Sequence, residues 1–147
     1  MRNRIVSGAL ALLLLASVAW ASKEEREAKK LDKELKKVSL TATVIDGRRV
    51  VNRVMARQLG VSRKQLVAER KQTGFVYGQL FGAHEVGRQA GMKFDQVTGE
   101  MKQGHSLLEI SEQLDVDLKQ ILADAKTLNK KQENRSRVRP HRERRGE

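Results

Sequence analysis

The stretch Ala56-Arg57-Gln58-Leu59-Gly60-Val61-Ser62-Arg63-Lys64-Gln65-Leu66-Val67 decides the fold. Upstream of it, Val51, Val54, Met55 and Leu59 recur at helical spacing. Gly60 follows where a helix closes on a left-handed residue. Ser62 then stands as an N-cap whose hydroxyl accepts from a backbone N–H of the next turn. The run over 63–73 is expected to turn Leu66, Val67 and the stem of Arg70 inward. Apolar stripe, glycine stop, capping serine and second stripe are the ordered signals of a helix-turn-helix.

The same signals recur downstream. Val61-Ser62-Arg63-Lys64-Gln65-Leu66-Val67-Ala68-Glu69-Arg70-Lys71 aligns without gaps on Val116-Asp117-Leu118-Lys119-Gln120-Ile121-Leu122-Ala123-Asp124-Ala125-Lys126. Ser62 and Asp117 occupy the same capping position. A more divergent copy begins at Met92, so the intervals are unequal and a regular solenoid is excluded. Between the units, Tyr77, Leu80, Phe81 and His84 mark one helix over 75–90, and Phe94, Val97 and Met101 mark another. Leu107, Leu108, Ile110 and Leu114 mark a fifth helix, and Leu118, Ile121, Leu122, Ala125 and Leu128 the last. The expected fold is all-α: two helix-turn-helix-like units, 48–73 and 106–128, joined by two middle helices. Gly74, Gly78 and Gly82 are four apart, which points to close helix packing on that face.

The flanks read differently. Arg2 and Arg4 precede an uncharged run from Ile5 to Ala21 that ends Ala19-Trp20-Ala21. Positive start, short apolar core and small-x-small exit form a secretory signal peptide over 1–21, with an uncleaved membrane anchor as the alternative. Residues 22–47 are expected to form a charged helix, stabilised by pairs such as Glu25 with Lys29, and then an extended connector. The connector follows from Val38-Ser39-Leu40-Thr41-Ala42-Thr43-Val44, which alternates at the strand period. Residues 48–128 make the helical domain. The stretch 129–147, with eight basic and three acidic residues and almost nothing apolar, is expected to be a disordered basic tail.

Composition narrows the chemistry. The chain has no cysteine, so a disulfide staple, a thiol nucleophile and a Cys-based zinc site are excluded. His84-Glu85 opens like a zinc-peptidase helix, but Arg88 stands where the second histidine belongs. His84, His105 and His141 are far apart and no acidic cluster completes a set, so neither metal nor cofactor is expected. No catalytic constellation can be assembled and no small-molecule substrate is indicated, so the chain is not read as an enzyme. A groove beside Tyr77, Phe81 and His84 is the one ligand pocket the pattern offers.

A net charge of +12 points instead to an anionic partner. Arg135, Arg137, Arg139, Arg142, Arg144 and Arg145 form a polyanion-binding candidate, fitted to lipid headgroups or surface polymers outside the cytoplasm. Arg49, Arg53 and Arg57 line one face of the first helix, and Arg63, Lys64 and Gln65 open the second. That is where a recognition helix meets phosphates and base edges. The leader argues against chromosomal DNA, and the second unit replaces the basic opening by Asp115 and Asp117.

Leu59-Gly60-Val61-Ser62, Glu69-Arg70-Lys71-Gln72-Thr73-Gly74, Tyr77-Gly78-Gln79-Leu80-Phe81-Gly82-Ala83-His84, Gly91-Met92-Lys93-Phe94-Asp95 and Ile121-Leu122-Ala123-Asp124-Ala125-Lys126-Thr127-Leu128-Asn129 carry a further indication. Through them, about half the chain resembles small exported bacterial all-helical proteins of no established activity. The resemblance implies an exported helical domain and transfers no active site. The expectation is a periplasmic or secreted, non-enzymatic module for protein or anionic envelope-surface interaction, with a helix-turn-helix nucleic-acid binder as the alternative.

Overall fold

The computed structural model describes residues 7–44 and 46–137, with side chains described from Lys23 to Ser136 apart from Ile45. The described residues form seven helices in chain order and no strand. They are α1 (Ser7–Thr41), α2 (Gly47–Leu59), α3 (Arg63–Thr73), α4 (Tyr77–Ala90), α5 (Phe94–Lys102), α6 (Leu107–Gln113) and α7 (Leu118–Arg137). The all-α expectation holds, with α2–α3 and α6–α7 as the two helix-turn-helix units and α4 and α5 between them.

The turn chemistry explains why the units form where they do. Gly60 takes φ +71°, and the Val61 N–H reaches back to the Ala56 carbonyl at 3.0 Å, closing α2. Ser62 Oγ accepts from the Gln65 N–H at 3.0 Å and starts α3. The second unit repeats this with different residues. Asp115 holds φ +52°, Val116 N–H meets the Ser111 carbonyl at 2.9 Å, and Asp117 Oδ1 accepts from Lys119 N–H at 2.9 Å. Aspartate is among the few residues that tolerate the left-handed region, so the turn survives without its glycine.

The core joins all seven helices. Leu31 and Val38 of α1, Met55 of α2, Leu66 of α3 and Phe81 of α4 meet Val97 of α5, Ile110 of α6, and Ile121 and Leu128 of α7. Each such side chain contributes about 1.5–3 kcal/mol when fully buried. α1 packs most extensively on α7, then on α4. Lys119 lies 3.9 Å from Glu27 and Asn129 bonds Glu34 at 2.8 Å, so α1 and α7 advance in the same direction. α4 crosses α1 through small residues: a Cβ at Gly78 would lie 2.2 Å from the Leu35 carbonyl oxygen. At Gly82 it would lie 2.5 Å from Leu107 Cδ2. Gly74 is not on this face, because it stops α3 rather than opening α4.

Three expectations change. Val38–Val44 is not an extended connector, since α1 continues as helix to Thr41. Val38 is fully buried and Ser39 Oγ bonds the Leu35 carbonyl within the helix while accepting from Gly78 N–H. Packing against α4 and α7 overrides the β-branched preference of the segment. At the other end, α7 runs beyond Asn129 to Arg137, with Asn129 bonded to Glu34 and Gln132 buried. The domain therefore ends later than residue 128. On α3, Val67 is exposed and Glu69 is buried in its place.

Charged α1 carries the expected pairs, Lys29 with Glu25 at 2.6 Å and Lys37 with Glu34 at 2.8 Å, and adds Lys36 with Asp32 at 2.7 Å. The signal peptide expected over 1–21 falls on residues that are not described (1–6) or described as backbone alone (7–22). Among the described residues, no helix is long and apolar enough to cross a membrane.

Candidate binding face on the first helix-turn-helix

Two helices meeting through a tight turn leave a concavity along their open side. Between α2 and α3 it is lined by Arg49, Asn52, Arg63, Lys64, Val67, Ala68 and Lys71, with no carboxylate among them. Arg63 and Lys64 stand in the first turn of α3, released by the Ser62 cap. Val67, Ala68 and Lys71 follow from Lys64 at i+3, i+4 and i+7, so they share its face. Val67 is 45% exposed, one of the few large apolar side chains among the described residues to be so. Asn52 Oδ1 is shielded from solvent and meets no hydrogen-bond donor.

The sequence candidates divide around this face. Arg49, Arg63 and Lys64 come together on it, whereas Arg53, Arg57 and Gln65 do not line it. Arg53 is half-buried on α2. Gln65 turns its amide to Glu69 Oε1 at 2.8 Å. Sequence reasoning missed Lys71 and the outward Val67, although the heptad step from Lys64 would have found the lysine. Of the tail arginines, Arg135 is exposed on α7 and Arg137 closes that helix. Arg139, Arg142, Arg144 and Arg145 lie outside the described residues.

The groove expected beside Tyr77, Phe81 and His84 is filled. Tyr77 and Phe81 are buried in the core, and the Arg70 guanidinium lies 5.1 Å from the Tyr77 ring centroid. His84 stacks on Phe94 at 4.3 Å between ring centroids, and its Nε2 lies 2.7 Å from Glu69 Oε2. Glu69 is the side chain that takes the inward position expected for Val67. One imidazole thus ties α3, α4 and α5 together.

A second polar lock joins α4 to α7. Glu85 is 2% exposed, and burial pushes its carboxyl above the ordinary range while hydrogen bonds from Arg88 oppose that shift. Arg88 Nε donates to Glu85 at 3.1 Å and Arg88 Nη2 to Asp124 at 3.1 Å. The Asp124 carbonyl in turn accepts from Gln58 Nε2 at 2.8 Å, bringing α2 into the same lock. Among the described residues, no three histidine, aspartate or glutamate side chains converge as a metal site would require.

A second cleft carries the other sign. A cleft beside Lys23, where α1 enters the domain, is lined by Glu24, Glu27, Glu112, Asp115 and Asp117, with Lys119 as its other cation. The two units therefore share a turn geometry and differ in charge. Comparison with protein-family models, curated proteins and solved structures gives no match.

Proposed function

We propose that the chain is an exported, non-enzymatic helical module that binds an anionic partner, a protein or an envelope surface, through its α2–α3 face. The reading is supported by one observation above all: four cations from two helices, Arg49, Arg63, Lys64 and Lys71, surround one concavity without a carboxylate. A rigid face built on helices costs less ordering entropy per contact than the same charges on a flexible segment. The arginines at 135–145 add a second, non-specific attraction. Titration of the full chain against polyglutamate and against anionic vesicles tests the reading. Salt-sensitive binding that falls at least tenfold in Arg63→Glu/Lys64→Glu supports it. Absence of anion binding, or binding that the double variant leaves unchanged, overturns it.

A nucleic-acid reading has its own support, because Arg63 and Lys64 open the second helix of a helix-turn-helix and Arg49 faces them. The two readings separate by compartment. An intact Met1 in a cytosolic fraction, with a salt-sensitive shift of duplex DNA, favours the second; a mature terminus near Ser22 in an envelope or secreted fraction favours the first.

A further inference from the structure

The cations of the α2–α3 concavity surround an apolar strip rather than more charge. Val67 and Ala68 lie on the floor, with Arg63 and Lys64 at one end and Lys71 at the other. Seven residues separate Lys64 from Lys71, a rise of about 10 Å or two helical turns. Arg49 and Asn52 wall the α2 side. A phosphate polymer would answer the cations and leave Val67 wet. An amphipathic helix with carboxylates two turns apart would answer the cations at both ends and cover the valine as well.

Charge elsewhere on the molecule bears on a lipid partner as well. Gly47 at the start of α2 abuts Thr41, the last residue of α1. The start of α2, which carries Arg49, therefore lies at the C-terminal end of α1. Thr41 is about 27 Å along the helix from Lys23, roughly three Debye lengths at physiological salt. The end nearest residues 1–22 carries Glu24, Glu27, Glu112, Asp115 and Asp117, which an anionic bilayer repels.

We infer that the concavity between α2 and α3 takes an acidic amphipathic helix of a protein partner, seated on Val67 with its carboxylates on Arg63, Lys64 and Lys71. The inference rests on the anionic-partner reading above and names its ligand class. It is tested by fluorescence anisotropy of the full chain with a labelled eighteen-residue peptide carrying leucines at i, i+3, i+4 spacing and glutamates seven apart. A scrambled peptide of equal composition, polyphosphate and anionic vesicles serve as the comparison. The amphipathic peptide is expected to bind at least tenfold more tightly than the scramble. Val67→Ser, at a solvent-exposed position, is expected to weaken that peptide about fivefold and to leave polyphosphate binding within twofold. Equal affinity for the two peptides, insensitivity to Val67→Ser, or tighter binding to vesicles overturns the amphipathic-helix ligand while leaving anion binding in place. Failure of every anion to bind overturns both readings.

Discussion

Gly78→Ala and Gly99→Ala are the same chemical change in helices of the same domain, and they should move stability in opposite directions. In an open helix, alanine in place of glycine gains up to about 1 kcal/mol. Gly99 meets that condition: a Cβ there has no neighbour within 4 Å. Gly78 does not, because its Cβ would stand 2.2 Å from the Leu35 carbonyl oxygen and 2.8 Å from the Leu35 carbonyl carbon. Both obstacles are backbone, so relief requires α1 and α4 to part by about 1 Å, well beyond a side-chain adjustment. That separation also strains the 2.9 Å bond from Gly78 N–H to Ser39 Oγ. Overpacking of this kind costs about 1–3 kcal/mol, and the strained bond about 1 more. Set against the helix-propensity gain, the net effect is a loss of about 2 kcal/mol for Gly78→Ala and a gain of about 0.5–1 for Gly99→Ala. Urea unfolding followed by circular dichroism reads both, and with a slope near 2 kcal/mol/M the Gly78 midpoint falls by roughly 1 M. If Gly78→Ala unfolds at the same urea concentration as Gly99→Ala, or above it, α1 and α4 are not packed as described.

Gln132 is 1% exposed on α7, and neither its Oε1 nor its Nε2 has a hydrogen-bond partner. Gln132→Met keeps the volume and removes the polar atoms, so thermal unfolding should move upward by the equivalent of about 1–3 kcal/mol; a decrease would mean the amide is satisfied in solution. Burial raises the Glu85 carboxyl above its ordinary value of 4.5, against the opposing pull of Arg88. Between 4.5 and the raised value the folded state keeps a proton that the unfolded chain has lost, so this group's contribution falls as pH rises through that window and is level above it. Glu85→Gln should abolish that decline in pH-dependent urea midpoints, and a decline that persists would assign it elsewhere. At Glu34, burial raises the carboxyl, but hydrogen bonds from Lys37 and Asn129 outweigh it and hold the group below 4.5. Its stabilisation is present above that value and lost on acidification, so Glu34→Gln should flatten the acid limb of the same profile.

What was legible in the sequence was what local chemistry decides. The bounds of α3 at Arg63 and Thr73 follow from a serine cap and a glycine stop that act within four residues. The second unit follows because Asp115 and Asp117 substitute for Gly60 and Ser62 in the same two roles. What was not legible depended on distant partners. The alternation over Val38–Val44 is a strand signal until α4 and α7 bury Val38, and nothing within the segment announces them. Leu66 and Val67 are adjacent and apolar, so the inward side of α3 is ambiguous by one position. It is decided by His84, fifteen residues downstream, which draws Glu69 inward and turns Val67 out. The binding face was half legible for the same reason. Its helix-turn-helix cations were named from the motif, while Lys71 and the apolar floor became part of it only once the orientation of α3 was known.

The most direct test of the α2–α3 face is a map of where an anion touches the molecule. Backbone amide shifts of the isotopically labelled chain, followed during titration with polyglutamate at low salt, provide it. The largest changes are expected at Arg49, Asn52, Arg63, Lys64, Val67 and Lys71, fading as salt is raised. Changes confined to residues 135–147, or to the Glu24–Asp117 end, would contradict it.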